Sequence, residues 1–172
     1  EHCFLLGIPP SVLQMNTGWP TNHSIPDGPP DWSPFEPVRK ALLQYGGYLS
    51  VHEYTDARGP TSDDWLWNPG RIFQIPDNWA DVPVLITEHG YDVAVNAPPG
   101  TSNHGWIGHL PEDTYMAYLT DYDLQMRFAV VDYPTKPKVK AVFIFSHDWD
   151  KPWGSWDTVP LTERLCLHAE WV

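Results

Sequence analysis

The apolar positions of the chain fall into short runs separated by long polar stretches. This alternation predicts repeated strand, loop and helix units. The first run spans residues 3–8, and the Pro-, Gly- and Asn-containing stretch over 9–32 is expected to be loop. A helix is predicted to open at Ser33, because Ser33-Pro34-Phe35-Glu36 supplies an N-cap, a Pro at N1 and a Glu at N3. Phe35, Val38, Leu42 and Tyr45 keep helical spacing on one face, and Gly46-Gly47 ends the helix. Pro37 falls in the first turn, where it is tolerated.

Residues 48–51 read as a second strand that delivers His52, Glu53 and Tyr54 at its C-terminal end. A loop with Trp65, Trp67 and Trp79 follows, holding at most a short helix over 71–75. Residues 82–87, rich in β-branched side chains, form a third strand that ends on Glu88. After a loop over 96–110, Pro111-Glu112-Asp113 opens the longest helix, which runs to about residue 128 with acids in its first turn. The fourth strand covers 139–145 and is nearly all apolar, as expected of a parallel strand covered on both faces. It ends in Ser146-His147-Asp148-Trp149. A last helix over 158–171 places Leu161, Leu165 and His168 or Ala169 on one side. The fold class is therefore α/β, with about four βα units in a single domain of 172 residues.

Composition narrows the partners. Ten basic residues against 22 acidic ones give a net charge of −12, which repels phosphate backbones. Nucleic acid and anionic membranes are not expected partners. The run over 3–8 is too short, and lacks the basic flank, for a signal peptide, and no 18-residue apolar stretch exists. Opening on an apolar segment at residue 3 is expected of a cut end. Cys3 and Cys166 lie far apart without CxxC spacing and read as structural or free thiols. The 10 Trp, 8 Tyr and 6 Phe can fill a core, but such rings also stack on the C–H faces of sugars, so a neutral polyhydroxylated ligand fits.

Glu88 stands out chemically: a carboxylate at the end of an apolar strand, followed by His89 and by Gly90, which lets the backbone turn. The alternative is a strand-end Glu paired with an Arg. Glu53 has the same placement one unit earlier, 88 − 53 = 35 residues back, so the two acids could flank a glycosidic bond at the roughly 5 Å separation of a retaining enzyme. Glu53 could equally support the site or touch substrate. His52, His89, His104, His109 and His147 show no HxH or HExxH spacing, so no metal or other cofactor is expected. Nucleophile-elbow, P-loop and dinucleotide-binding motifs are absent from the sequence.

The segments Tyr48-Leu-Ser-Val-His-Glu-Tyr54, Val84-Leu-Ile-Thr-Glu-His-Gly-Tyr-Asp92, Val142-Phe-Ile-Phe-Ser146 and Trp153-Gly-Ser-Trp-Asp157 resemble, in order, the C-terminal half of clan A glycoside hydrolases. The resemblance implies strands 5 to 8 of a (β/α)8 TIM barrel, with residues 3–8 as strand 5. It implies Glu88 as the strand 7 nucleophile of a retaining hydrolase acting on a β-linked glycan. Glu53 is then a second catalytic candidate, and His52, Tyr54, His89, Trp149, Trp153 and Trp156 are expected to bind substrate. The sequence departs from that family in having no strands 1 to 4 and no Asn-Glu-Pro acid/base; a full barrel needs about 250 residues. Three readings follow: a fragment, a half-barrel completed by a second copy or an N-terminal half-barrel partner, or a reduced enzyme with Glu53 as acid/base. A carbohydrate-binding or barrel-completing subunit without catalysis is the alternative to the hydrolase.

Overall fold

The computed structural model describes residues 9–15, 30–55, 71–92, 105–132, 134–145, 155 and 157–170. Four strands, β1 (Ser11–Met15), β2 (Tyr48–Thr55), β3 (Val84–Tyr91) and β4 (Val139–Ile144), form one sheet in the order β1-β2-β3-β4. Every neighbouring pair is parallel. The helices between and after them are α1 (Glu36–Tyr45), the single turn α2 (Arg71–Gln74), the long α3 (Glu112–Asp132) and α4 (Thr162–Glu170). Among the described residues no helix is long and apolar enough to cross a membrane.

The strands follow one another in sequence order, so crossovers of one hand carry all the helices to the same side of the sheet. The packing agrees. Leu49 and Val51 of β2 and Val84 and Ile86 of β3 share one core with Leu42 of α1, Ile72 of α2, and Tyr122 and Met126 of α3. A second cluster joins Tyr91 to Tyr115, Met116 and Leu119 of α3, with Ile144 and Leu165 packed against it. Trp32, Trp79 and Trp106 are all buried in these cores. Trp79 meets Trp32 edge-on at 5.1 Å, and Trp106 stacks on Tyr115 at 4.9 Å. These three rings are core, not platforms for a ligand.

Several boundaries differ from those the sequence predicts. Residues 3–8, expected as the first strand, lie outside the described residues, whereas Ser11–Met15, expected as loop, is β1. The polar residues Ser11 and Gln14 hid it: Ser11 Oγ hydrogen-bonds Ser50 Oγ across the pair, so polarity here serves the sheet. Ser33 is not the cap of α1. It begins a 3₁₀ turn (Ser33–Phe35) ahead of the helix, where Asp31 Oδ1 accepts the Ser33 N–H at 3.0 Å, and α1 itself starts after Phe35 with no side-chain cap. The end of α1 follows the sequence closely. Gly46 adopts a left-handed φ of 63°, and a Cβ on Gly47 would stand 2.7 Å from the Pro10 carbonyl oxygen.

The strand ends also move. β2 and β3 run on through Thr55 and Tyr91, so His52, Glu53, Tyr54 and Glu88 lie within strands and not beyond them. β4 is covered on one face only: Val142 packs on the core, while Phe143 is 52% exposed. Cys166 is an exposed free thiol. The connection after β3 is stitched to the segment after β4, where Ile107 N donates to Ser155 O at 3.0 Å and Trp106 Nε1 to Asp157 O at 3.1 Å.

Candidate functional site

Among the described residues, the candidate chemistry lies on the face of the sheet that no helix covers. Along β2, Leu49, Val51, Glu53 and Thr55 are all buried, as expected of alternate positions facing the helices. Ser50, His52 and Tyr54 alternate with these and face the other way, where Ser50 and His52 are also buried. In β3 the same alternation begins with buried Val84 and Ile86, and continued strictly it would send Glu88 towards the helices. A bulge prevents this. Val51 pairs with Ile86, but the next residue, His52, pairs with Glu88, so Thr87 is the extra residue in β3. The register with β4 slips in the same interval, between Ile86↔Val142 and His89↔Ile144. Glu88 is thereby turned onto the open face beside His52, and His89 is turned onto the covered face beside Glu53.

Glu88 is gripped through one oxygen. Tyr54 donates its hydroxyl to Glu88 Oε2 at 2.6 Å, and His52 Nδ1 lies 3.0 Å from the same atom. Oε1 accepts no hydrogen bond among the described residues, and the side chain is 29% exposed. The partners are a phenol and an imidazole, not the Arg that a purely structural strand-end Glu would be expected to have. Burial, then the hydrogen bond to Glu88, push the Tyr54 hydroxyl well above the usual tyrosine range, so it stays a donor at any physiological pH. Phe145 meets the Tyr54 ring edge-on, with centroids 6.3 Å apart, and limits where that hydroxyl can swing. The sequence gives no sign of this contact beyond an apolar residue closing the fourth run.

Glu53 and His89 do not belong to this group, which corrects both expectations. Glu53 is fully buried on the helix-covered face. Its Oε1 accepts the Ile72 N–H at 3.1 Å and its Oε2 accepts the Tyr122 hydroxyl at 2.5 Å. A carboxylate on the opposite face of the sheet cannot act across a bond that Glu88 attacks. His89 is 1% exposed, stacks on Tyr122 at 3.6 Å with 14° between the planes, and donates from Nδ1 to the Glu53 carbonyl at 2.9 Å. It is shut off from any ligand that reaches Glu88. Tyr122, which anchors both residues, and Ile72 were not expected to matter; their only signal is that α2 and α3 each turn an apolar face to the sheet. Trp65, Trp67, Trp149, Trp153 and Trp156, with His104 and His147, lie outside the described residues.

The arrangement holds a partly exposed carboxylate with one oxygen fixed by Tyr54 and His52 and the other without a hydrogen bond among the described residues. That geometry suits attack on an electrophilic carbon, or a charged hydrogen bond to a polyol. A comparison of the chain with family models, with curated proteins and with solved structures finds no significant match.

Proposed function

We propose that the chain is the nucleophile-bearing portion of a retaining glycoside hydrolase, with Glu88 attacking the anomeric carbon of a β-linked glycan. The observation that carries this reading is the grip of Tyr54 and His52 on Glu88 Oε2, which leaves Oε1 for the attack. The C1–Oε1 bond forms as the bond from C1 to the leaving oxygen breaks, and that oxygen keeps the electron pair. Water then opens the glycosyl ester and restores the carboxylate. Tyr54 and His52 stabilise negative charge on Oε2 while Oε1 reacts and again when the ester is cleaved.

The fold supports the same reading. A sheet with its strands in sequence order and all helices on one face is the arrangement of a (β/α) barrel segment; a doubly wound sheet would reverse its order and carry helices on both faces. His52, Tyr54 and Glu88 sit in the C-terminal halves of their parallel strands, where barrel active sites lie. With Glu53 on the covered face, the proton donor for an ordinary leaving group comes from outside the described residues or from a partner half-barrel.

The test avoids the need for that donor. A 2-deoxy-2-fluoro glycoside with a dinitrophenolate leaving group departs without protonation and leaves a long-lived ester on the nucleophile. Peptide mass spectrometry of the treated full chain is expected to find the sugar on Glu88 and to find none in Glu88→Gln, whose fold by circular dichroism should be unchanged. Labelling that is absent, or that persists in the variant, overturns the assignment. Glycan binding that is equal in wild type and Glu88→Gln, with no labelling in either, would instead favour a carbohydrate-binding subunit.

A further inference from the structure

On the covered face, beneath α3 and α4, lies a cavity of about 200 Å³ that the Glu88 site does not use. Val142 and Ile144 of β4, Leu119 of α3 and Leu165 of α4 wall it with apolar surface, and His89 borders it. Asp123 also lines it, held in place by Arg127 Nε at 2.9 Å and His168 Nε2 at 3.0 Å. The charge of this carboxylate is therefore already answered.

His89 gives the cavity a defined chemistry. Its Nδ1 faces a backbone carbonyl, which can only accept, so the proton sits on Nδ1. Burial pushes the imidazole down to about 4, so at neutral pH the ring is uncharged and Nε2 carries a bare lone pair. Nε2 is buried and has no hydrogen-bond partner among the described residues. Stacking on Tyr122 fixes the ring, so it cannot turn to find one. An acceptor held in this way calls for a donor, and the apolar walls call for the rest of that molecule to be greasy.

We propose that this cavity binds a compact, uncharged, largely apolar molecule of about phenol size, whose single O–H or N–H donates to His89 Nε2. The volume is adequate, since an apolar protein cavity of about 150 Å³ already admits benzene. The site is separate from Glu88 and stands whether or not the hydrolase reading does.

The probes are phenol and toluene, which match in shape and differ in the donor. Titration into the full chain, followed by the imidazole nitrogen resonances of His89, is expected to show phenol moving Nε2 and binding roughly tenfold more tightly than toluene, the ratio that one hydrogen bond provides. Leu165→Trp should fill the cavity and abolish phenol binding. Equal binding of the two probes, a silent Nε2, or no phenol binding by wild type overturns the proposal, and none of these readings depends on the variant folding. Retention of phenol binding by a folded Leu165→Trp protein overturns it as well.

Discussion

On the helix-covered face of the sheet, Leu49, Val51, Val84 and Ile86 are closed off almost completely; on the other face Ser50 and His52 are also buried, but Leu85 is half-buried and Phe143 is 52% exposed. Both faces carry a glutamate, and the comparison shows what position does to the same side chain. Glu53 has a Tyr hydroxyl and a backbone N–H on its two oxygens and no solvent, so it is a structural acceptor. Glu88 has both donors on one oxygen, and its side chain stays 29% exposed. Of these two carboxylates, Glu88 alone keeps an oxygen without a hydrogen bond among the described residues.

The sharpest challenge to this division uses neighbours in β3. Ile86→Ala should cost about 3–4 kcal/mol in urea unfolding, because a packed core cannot close over the lost atoms. Leu85→Ala, one residue away but on the open face, should cost less than about 1.5 kcal/mol. Similar losses at both positions would mean that the open face is as tightly packed as the covered one.

A second difference lies in how the faces respond to pH. Above pH 6.5, His89 is neutral in both folded and unfolded chains and adds no pH dependence. As the pH falls from 6.5 towards 4, the unfolded chain takes up a proton that the buried ring refuses. Stability should therefore decline across that window, by up to roughly 3 kcal/mol from this residue. Urea titrations of wild type and His89→Phe over the same range should show a shallower slope in the variant; parallel slopes would show that His89 charges freely.

On the open face, Tyr54→Phe removes one of the two donors to Oε2. Formation of the glycosyl ester should slow by roughly 10- to 100-fold, the worth of one hydrogen bond to a charged group. The rate of labelling by the fluoro glycoside measures it, and an unchanged rate would leave His52 as sole support. The smallest effect belongs to Phe143→Ser, expected to change stability by no more than about 0.5 kcal/mol because the ring is already in water. A larger loss would show that something covers this strand in solution.

Much of this division can be read in the sequence, for reasons that differ by residue. The α1 stop at Gly46 is legible because a left-handed φ strongly favours glycine, and α3 is legible because its acids and its apolar positions agree on one start. Val84 and Ile86 announce a buried strand face. β1 was not legible, because its two polar residues outweigh a five-residue run whose partner strand is distant in sequence. The assignment of Glu53 and His89 failed at a deeper level. Proximity in sequence to Tyr54 and Glu88 suggested one site, but faces in a sheet are decided by parity, and parity depends on the extra residue at Thr87. Nothing in Ile86-Thr87-Glu88 signals a bulge: none of the three is a Gly, and each suits a regular strand. The resemblance puts His52, Tyr54 and Glu88 in one site, but no count of apolar periods would have found the hydrogen bonds that join them.

The extra residue in β3 also changes how this gene can vary. Because Thr87 is the residue in excess, loss of its codon would leave Glu88 directly after Ile86 in ordinary alternation, still opposite His52, with His89 still opposite Glu53 on the covered face. An in-frame deletion of three nucleotides, ordinarily a harsh lesion within a strand, would at this one codon keep both faces of β3 as they are.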